Sequence, residues 1–309
     1  MPALIYSPHF AMGFPGLRFL HPFDTYRARR AYLELAPQLK LPGSSMVELF
    51  WPEGPVTDKE LELVHTAEYL HSLRRPSVLA AAVEVWPLAL TGRTFLNWIL
   101  VTPMRWAVSG TLVGARQALR TGLAFSLTGG FHHAKPDRGE GFCLFNDIAF
   151  AIRTLRLESV IYVDLDAHQG NGVGHIFAGD SSVKIFDVFN GDIYPYGEEL
   201  ARARADACFP LRYGSSGEDY MALVERELPP FLDTHEGAEL LIYNAGNDVV
   251  SGDRLGGLRV SEEQVLARDL FVIGEARRRG LPLLYLPSGG YTPNSYKMIA
   301  RTVMAALAI

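Results

Sequence analysis

Cysteine is scarce in this sequence, with only Cys143 and Cys208 among 309 residues. Two thiols are too few for a disulfide framework or for a zinc site built from cysteines. Such low cysteine usage fits a reducing compartment, so we predict a cytoplasmic protein.

Runs of basic residues are missing as well. The chain has 29 lysines and arginines against 34 aspartates and glutamates, which gives a formal net charge of -5. Proteins that bind nucleic acid or dock electrostatically on a membrane usually carry a concentrated basic patch. We therefore expect neither nucleic acid nor a membrane surface among the partners of this protein.

Long hydrophobic runs are also absent. The most apolar region, residues 86–113, is interrupted by Pro87, Arg93, Pro103 and Arg105, whereas a bilayer span needs about 20 clean apolar residues. The first residues lack the basic segment and the apolar core of a secretory signal. No repeat with a period of about 20–50 residues is found. These absences predict a soluble protein that is neither a solenoid nor a propeller.

The sequence is rich in short apolar runs that alternate with helical periodicity. With 48% hydrophobic and 20% charged residues, it is not a disordered chain. The pattern predicts strands at 123–130, 159–168, 183–189, 239–248 and 281–291, and helices at 147–157, 218–232, 261–280 and from about 295. The second helix is expected to end at Pro229–Pro230, and Ser261 is expected to cap the third.

Apolar strands separated by helices predict a mostly parallel central sheet with helices on both faces. No linker rich in proline or serine divides these elements, so we expect a single α/β domain over residues 1–309.

Four of the predicted strands end in polar, chemically capable residues. The segments are GGFHH (129–133), DLDAH (164–168), AGNDVVSGD (245–253) and PSGGY (287–291). Function in parallel α/β sheets lies in loops just past the carboxyl ends of the strands. Any one of these segments could be an ordinary turn, but four together predict an active site.

Asp164, Asp166 and His168 alternate along an extended strand, so their side chains point the same way. Two acids and an imidazole on one side are costly unless a cation neutralises them. The pattern therefore favours a metal site over an Asp-rich strand end that caps the next helix. Asp248 is a candidate third ligand, unless it is a turn residue. Three protein ligands leave one position open for water, as in catalytic zinc sites, although iron(II), cobalt and manganese accept the same donors.

His132 and His133 follow two glycines, which let substrate and backbone come close, so this pair is suited to proton transfer. Tyr291, also after two glycines, could donate its hydroxyl to an oxyanion. The alternatives are packed, inert side chains, as we expect for Cys143. The sequence has no nucleophile elbow, Walker A loop or dinucleotide-binding fingerprint.

Five segments in order resemble the zinc-dependent histone deacetylase family. They are GGFHH (129–133), RGEGFCLFND (138–147), VDLDAHQGNG (163–172), AGNDVVSGDRLGGL (245–258) and SGGY (288–291). Other segments resemble the class IV branch of that family: YSPHF (6–10), LHPFD (20–24), VHTAEYL (64–70) and DVFNGDIYP (187–195). The resemblance spans nearly the whole chain and implies an arginase/deacetylase-like fold.

The resemblance also implies roles for individual residues. Asp166, His168 and Asp248 match the zinc ligands of the family, and Tyr291 matches the tyrosine that faces the metal. His132 and His133 match the tandem histidines of the family. Asp164 matches the residue behind the first histidine, and Asn171 matches the residue behind the second.

Four further positions match the acyl-lysine tunnel: Gly141 its floor, Phe142 and Tyr194 its aromatic walls, and Leu255 its apolar rim. A monovalent cation, usually potassium, is held in the family by positions that match Asp164, Asp187, Val188, Asp166 and His168, the last three through their backbone. Asp187 stands where many relatives have serine, so cation affinity is expected to differ. The related arginases need two more aspartates, where this chain has Gly170 and Val250.

The implied reaction is hydrolysis of a lysine side-chain amide by metal-activated water. Class IV relatives resemble long-chain deacylases, and the apolar stretch 96–108 could line a hydrophobic extension of the tunnel or be ordinary core. Two alternatives are an amidohydrolase of small acylated amines such as acetylpolyamines, and a non-catalytic acyl-lysine reader. The reader is disfavoured because every matched ligand and the tyrosine are present.

Overall fold

The computed structural model of the protein describes residues 1–13, 22–39 and 47–308. Leu20 and His21, the first two residues of the LHPFD segment, lie outside the described residues.

Eight strands form one parallel sheet in the order β2-β1-β3-β8-β7-β4-β5-β6. The strands are β1 (Ala3–Ile5), β2 (Glu48–Phe50), β3 (Leu123–Ser126), β4 (Val160–Asp164), β5 (Val183–Asn190), β6 (Ala207–Leu211), β7 (Leu240–Asn244) and β8 (Leu283–Leu286). Every described pairing in this sheet is parallel. The predicted α/β fold with a parallel sheet is confirmed.

Twelve α-helices surround the sheet in the described part of the chain. They are α1 (Arg27–Leu39), α2 (Asp58–Leu61), α3 (Ala67–Ser72), α4 (Pro76–Ala82), α5 (Arg93–Leu96), α6 (Thr102–Thr121), α7 (Asp147–Leu155), α8 (Asn171–Ile176), α9 (Glu199–Arg204), α10 (Gly217–Thr234), α11 (Glu262–Arg278) and α12 (Ser295–Ala308). None of the described helices is long and apolar enough to cross a lipid bilayer.

The four central strands, β3, β8, β7 and β4, are buried along their whole length. Helices cover the sheet, so these strands need no polar face, and each fully buried Leu, Ile or Val contributes about 1.5–3 kcal/mol. The polar residues that follow these strands therefore meet at one edge of a rigid core.

The structure places Ser261 as the N-cap of α11, as predicted. Its side chain accepts a hydrogen bond from Gln264 N, and the Gln264 side chain accepts one from Ser261 N. Glu262 and Glu263 lie in the first turn, and Arg277 and Arg278 in the last, where these charges complement the helix dipole.

The predicted end of the helix at Pro229–Pro230 is wrong. Helix α10 continues through both prolines to Thr234. Beyond them Leu232 is buried and the Phe231 ring lies 5.3 Å from that of Phe186. Packing of these two side chains against the sheet offsets the backbone hydrogen bonds that the prolines cannot make.

Several predicted strands are also shorter than expected at their carboxyl ends. The run predicted at 123–130 ends at Ser126, and Gly129 and Gly130 then adopt left-handed φ angles of 103° and 86°. Glycine adopts such angles at little cost. The chain therefore leaves the sheet here and turns toward the loops that follow β4, β7 and β8.

Candidate metal centre and tunnel

The structure brings Asp166, His168 and Asp248 together from the loops after β4 and β7, which are neighbours in the sheet. His168 Nδ1 lies 3.1 Å from Asp166 Oδ1 and 3.0 Å from Asp248 Oδ2. All three side chains are buried, and their ligand atoms lie within 4.8 Å of one another. No other such group of three potential metal ligands occurs in the part of the chain that the structure describes.

Backbone amides hold the second oxygen of each carboxylate. Gly289 N donates to Asp166 Oδ2 at 2.8 Å, and Ala167 N donates to Asp248 Oδ1 at 2.9 Å. A Cβ on Gly289 would collide with both carboxylates. The other oxygens, Asp166 Oδ1 and Asp248 Oδ2, both face His168 Nδ1.

The electrostatics of this group indicate a deficit of positive charge. Burial and the neighbouring Asp166 raise the pKa of Asp248 to about 7. Burial lowers the pKa of His168, but hydrogen bonds to Asp166 and Asp248 outweigh it and raise that pKa to about 10. Two buried carboxylates facing one imidazole are costly without a cation. Two oxygens and one nitrogen are a donor set that catalytic zinc accepts.

The tandem histidines follow β3 on a loop anchored by Asp147. The buried Asp147 carboxylate accepts hydrogen bonds from Gly130 N at 2.9 Å and Phe131 N at 2.7 Å. The His132 and His133 rings lie 4.0 Å apart. Sequence reasoning missed Asp147, whose only signal is its position at the end of the RGEGFCLFND segment.

The two histidines have partners of different chemistry. His132 Nδ1 lies 2.7 Å from the Asp164 carboxylate, and His133 Nδ1 lies 2.7 Å from the amide oxygen of Asn171. Burial lowers the pKa of His132, but Asp164 and Asp166 outweigh it and raise that pKa to about 9. Burial and the neighbouring His132 hold the pKa of His133 well below its usual value. His132 is therefore suited to carry charge and His133 to act as a neutral base.

Asp164 is held by residues that sequence reasoning missed. The Tyr162 hydroxyl donates to Asp164 Oδ2 at 2.5 Å, and Asn244 Nδ2 donates to Oδ1 at 2.9 Å. Tyr162 lies two residues earlier on the same strand, and Asn244 is the register partner of Asp164 on β7. The alternation along β4 could have indicated Tyr162, whereas Asn244 becomes visible only when the register is known.

Tyr291 lies beside the metal centre, with its ring 6.4 Å from that of His168. Its backbone N donates to Asp253 Oδ2 at 2.8 Å, so Asp253 holds the loop in place, a role that the sequence does not reveal. The buried Arg27 guanidinium donates to the carbonyls of Ser288 and Gly289 just before it. Burial, Asp248 and Asp166 raise the pKa of Tyr291 well above its usual value, so the hydroxyl remains a donor.

An outer cavity leads to these groups. All four predicted tunnel residues line this cavity, together with two histidines and one glutamate. Its lining residues are Pro22, Glu84, His133, Gly141, Phe142, His168, Tyr194, Leu255 and Tyr291. The four predicted tunnel residues therefore share one cavity with His133, His168 and Tyr291. Glu84, which the sequence does not single out, adopts a left-handed φ of 57°, which is uncommon for a residue with a side chain.

An inner cavity borders both histidines, Phe142 and Tyr291, and extends into the core. Its lining also includes the buried apolar residues Val83, Val85, Leu88, Ile99, Leu100 and Met104. Within residues 96–108, Ile99, Leu100 and Met104 line this cavity, and Ala107 and Val108 are fully buried core.

The predicted cation position shows an unsatisfied acceptor. Asp164 and Asp187 are register partners on β4 and β5. Gly170 N donates to Asp187 Oδ2 at 3.1 Å, but the buried Asp187 Oδ1 has no hydrogen-bond partner among the described residues. Burial and Asp164 raise the pKa of Asp187 well above its usual value. The backbone of Val188 continues this strand beside the two carboxylates.

Comparisons with known proteins show which family and fold this chain resembles. A sequence model of the histone deacetylase domain matches residues 21–307. The chain is 35% identical to histone deacetylase 2 of Arabidopsis thaliana over 307 residues, covering 97% of this chain and 77% of that protein. It is 32% identical to histone deacetylase 1 of Homo sapiens over 183 residues, covering 56% of this chain and 37% of that protein. The crystal structure of the HDA15 HD domain superposes with a TM-score of 0.75 at 22% identity, covering 99% of this chain and 88% of that one.

Proposed function

This chain belongs to the histone deacetylase family and is a hydrolase of acyl-lysine amides, and we propose that it removes fatty acyl groups longer than acetyl, with one zinc ion per chain. The match of the family model and the identity to the plant relative confirm the family resemblance that the sequence motifs carry.

The observation that carries this proposal is the inner cavity. An acetyl group would end beside His132, His133 and Tyr291, and would need no room beyond them. The apolar lining that continues through Leu88 and Met104 instead suits a hydrocarbon chain. Each buried methylene contributes about 0.8 kcal/mol to binding, so a longer acyl chain gains affinity at this site.

Asp166, His168 and Asp248 would hold the zinc ion. When bound, zinc polarises the amide carbonyl and lowers the pKa of water toward about 7. The neighbouring amides of Gly289 and Ala167 orient the two carboxylates for this task.

The remaining chemistry belongs to side chains around the metal centre. His133 takes a proton from the attacking water and later gives one to the departing lysine amine. His132, kept cationic by Asp164, stabilises developing negative charge. The Tyr291 hydroxyl donates to the oxyanion, an interaction worth about 3–4 kcal/mol in comparable sites.

Finer assignments rest on the sequence motifs and on single contacts. The DVFNGDIYP segment at 187–195 supports membership of the class IV branch. Asp187 Oδ1, which has no hydrogen-bond partner among the described residues, supports a structural potassium ion held with Asp164 and the backbone of Asp166, His168 and Val188. A single domain, a cytoplasmic location and the lack of a nucleic-acid partner stay predictions.

A second candidate substrate class is a small acylated amine. Glu84 lines the outer cavity, and its carboxylate would attract a second amino group, such as that of an acetylpolyamine. The apolar inner cavity favours the fatty acyl-lysine substrate, because a polyamine substrate carries only a short acyl group.

Kinetics with a matched pair of variants test the proposal. Acetyl-, octanoyl- and myristoyl-lysine peptides are compared with acetylpolyamines for wild type, Leu88→Phe and Leu90→Phe. Leu88 lines the inner cavity, whereas Leu90 is 92% exposed on the same short segment. We expect kcat/KM in wild type to rise with chain length, and Leu88→Phe to abolish that rise while acetyl hydrolysis persists.

Leu90→Phe should behave as wild type. Faster hydrolysis of acetylpolyamines than of every peptide would favour the second candidate, and equal rates for all chain lengths would overturn the assignment of the inner cavity.

A further inference from the structure

A charged cluster built around a buried lysine lies at the amide-nitrogen end of Asn171. It consists of Lys135, Glu140 and Glu198. Lys135 Nζ lies 3.0 Å from Glu140 Oε1 and 2.5 Å from Glu198 Oε1, and the lysine side chain is only 2% exposed. Burying an ammonium group is costly unless it is paired and hydrogen-bonded, and here two carboxylates meet that need.

The same two carboxylates determine how the Asn171 amide is oriented. Asn171 Nδ2 donates to Glu140 Oε1 at 2.7 Å and to Glu198 Oε1 at 3.2 Å. Ionised carboxylates only accept hydrogen bonds, and an amide carbonyl does likewise. Rotating the amide by half a turn would set its oxygen against both carboxylates, so the amide oxygen must face His133.

This orientation fixes the tautomer of His133. Because Asn171 Oδ1 can only accept, the 2.7 Å contact with His133 Nδ1 requires the proton to be on Nδ1. The lone pair of the neutral ring then lies on Nε2. His132 differs, since its Nδ1 faces a carboxylate directly, which stabilises the imidazolium rather than one neutral tautomer.

We propose that Glu140 and Glu198 are positioning residues for the reaction, which fix the Asn171 amide and through it the Nδ1-protonated tautomer of His133. The inference rests on the proposed role of His133 as the base, because only this tautomer offers Nε2 as a proton acceptor. The Lys135 ammonium pairs with both carboxylates and so holds them beside the Asn171 amide. His175 contacts Glu198 through the other oxygen, Oε2, at 2.7 Å, and so links the cluster to a partly exposed side chain.

The test reads the tautomer directly. Zinc-loaded protein with ¹⁵N-labelled histidine is studied by NMR above neutral pH, where the Nδ1 and Nε2 shifts report which nitrogen is protonated, and His133→Gln assigns the signal. The main variant is Glu140→Ala with Glu198→Ala and Lys135→Met, which removes both acceptors without leaving an unpaired ammonium. The conservative variant is Glu140→Gln with Glu198→Gln and Lys135→Met, which retains two acceptor oxygens and likewise leaves no unpaired ammonium. Asp137→Ala, on the same loop with a 64% exposed side chain, is the control.

Wild type and the control should show His133 protonated on Nδ1. The main variant should show a substantial Nε2-protonated population and a fall in kcat of about tenfold or more, with KM within about twofold. The glutamine variant should restore both the tautomer and kcat. If the main variant does not fold, the single variants Glu140→Ala and Glu198→Ala should each show a smaller shift in the same direction.

An unchanged Nδ1 tautomer in a folded variant that lacks the carboxylates would overturn the inference. The tautomer is read without substrate, so a protein that shows no deacylase activity but the expected tautomers would contradict the proposed function and not the positioning role.

Discussion

At the scale of single residues, the candidate metal centre depends on a glycine that leaves room for its ligands. Gly289 lies against both Asp166 and Asp248, and its amide holds Asp166. Its backbone does not have the positive φ that excludes other residues, so only the space for a side chain is limiting.

Gly289→Ala should therefore weaken zinc binding by about tenfold or more, because the added methyl group must displace a ligand carboxylate. Titration with a competing chelator measures the zinc affinity. Gly274→Ala is the matched control, since a Cβ there meets nothing within 4 Å on helix α11. This control should keep the wild-type zinc affinity and gain up to about 1 kcal/mol of stability. Equal zinc affinities in the two variants would contradict the view that Gly289 leaves space for the ligand carboxylates.

Tyr291→Phe should lower kcat by about a hundredfold or more, because one oxyanion donor is lost. Zinc content should be unchanged, since the tyrosine is not one of the three candidate ligands. Steady-state kinetics and metal analysis check both expectations. Tyr213→Phe, at a tyrosine that is 68% exposed, should retain the wild-type rate. An undiminished rate in Tyr291→Phe would remove this hydroxyl from the reaction.

The sequence indicates the polar side chains that follow the strands. It does not indicate the residues whose hydrogen bonds hold those side chains and loops in place. Asp166, His168 and the tandem histidines stand at the ends of apolar runs, where their cost can be recognised. Asn244 and Arg27 act on residues that are distant in sequence, so their roles depend on register and topology, which local pattern cannot give.

At the scale of elements, one histidine joins the two ends of the segment between Lys135 and Asn146, which carries the predicted tunnel residues Gly141 and Phe142. His65 Nδ1 lies 2.9 Å from Lys135 O, and His65 Nε2 accepts a hydrogen bond from Asn146 N at 3.0 Å. Burial lowers the pKa of His65 to about 4. The ring is therefore neutral in the folded protein.

This contact predicts a loss of stability in acid. The unfolded chain binds a proton at His65 near pH 6.5 and the folded protein only near pH 4, so the stability is present above pH 6.5 and is lost as the pH falls below it. Between about pH 7.5 and about pH 5 the free energy of unfolding should fall by about 2 kcal/mol through this residue. Urea unfolding at both pH values should show that the free energy of unfolding of His65→Gln lacks this pH-dependent fall. His71→Gln, at an exposed histidine, should retain it, and an identical pH dependence in both variants would contradict the assignment.

Elements with a strong local signal were predicted and those shaped by their neighbours were not. The four buried central strands and helix α11 follow from their apolar runs and caps. Strands β1 and β2 have only three residues each, and β6 contains Pro210, which is tolerated because β6 is an edge strand. The prolines inside α10 misled the sequence interpretation because the buried contacts of Leu232 and Phe231 could not be foreseen.

At the scale of the whole molecule, the sheet order determines where the chemistry is located. Strands β3, β8, β7 and β4 are consecutive in the sheet, so the four loops with histidine, aspartate and tyrosine meet at one edge. The sequence predicts a parallel sheet and a site at its carboxyl edge. The strand order and the inner cavity arise from packing across the molecule and needed the structure.

The most direct test of the account is to remove the metal from the folded protein and to measure hydrolysis of a fatty acyl-lysine peptide before and after zinc is restored. We predict one zinc ion per chain in the active protein, loss of activity after chelation with the fold retained by circular dichroism, and recovery on stoichiometric zinc in wild type but not in Asp248→Ala. Full activity in a folded, metal-free protein would contradict the account.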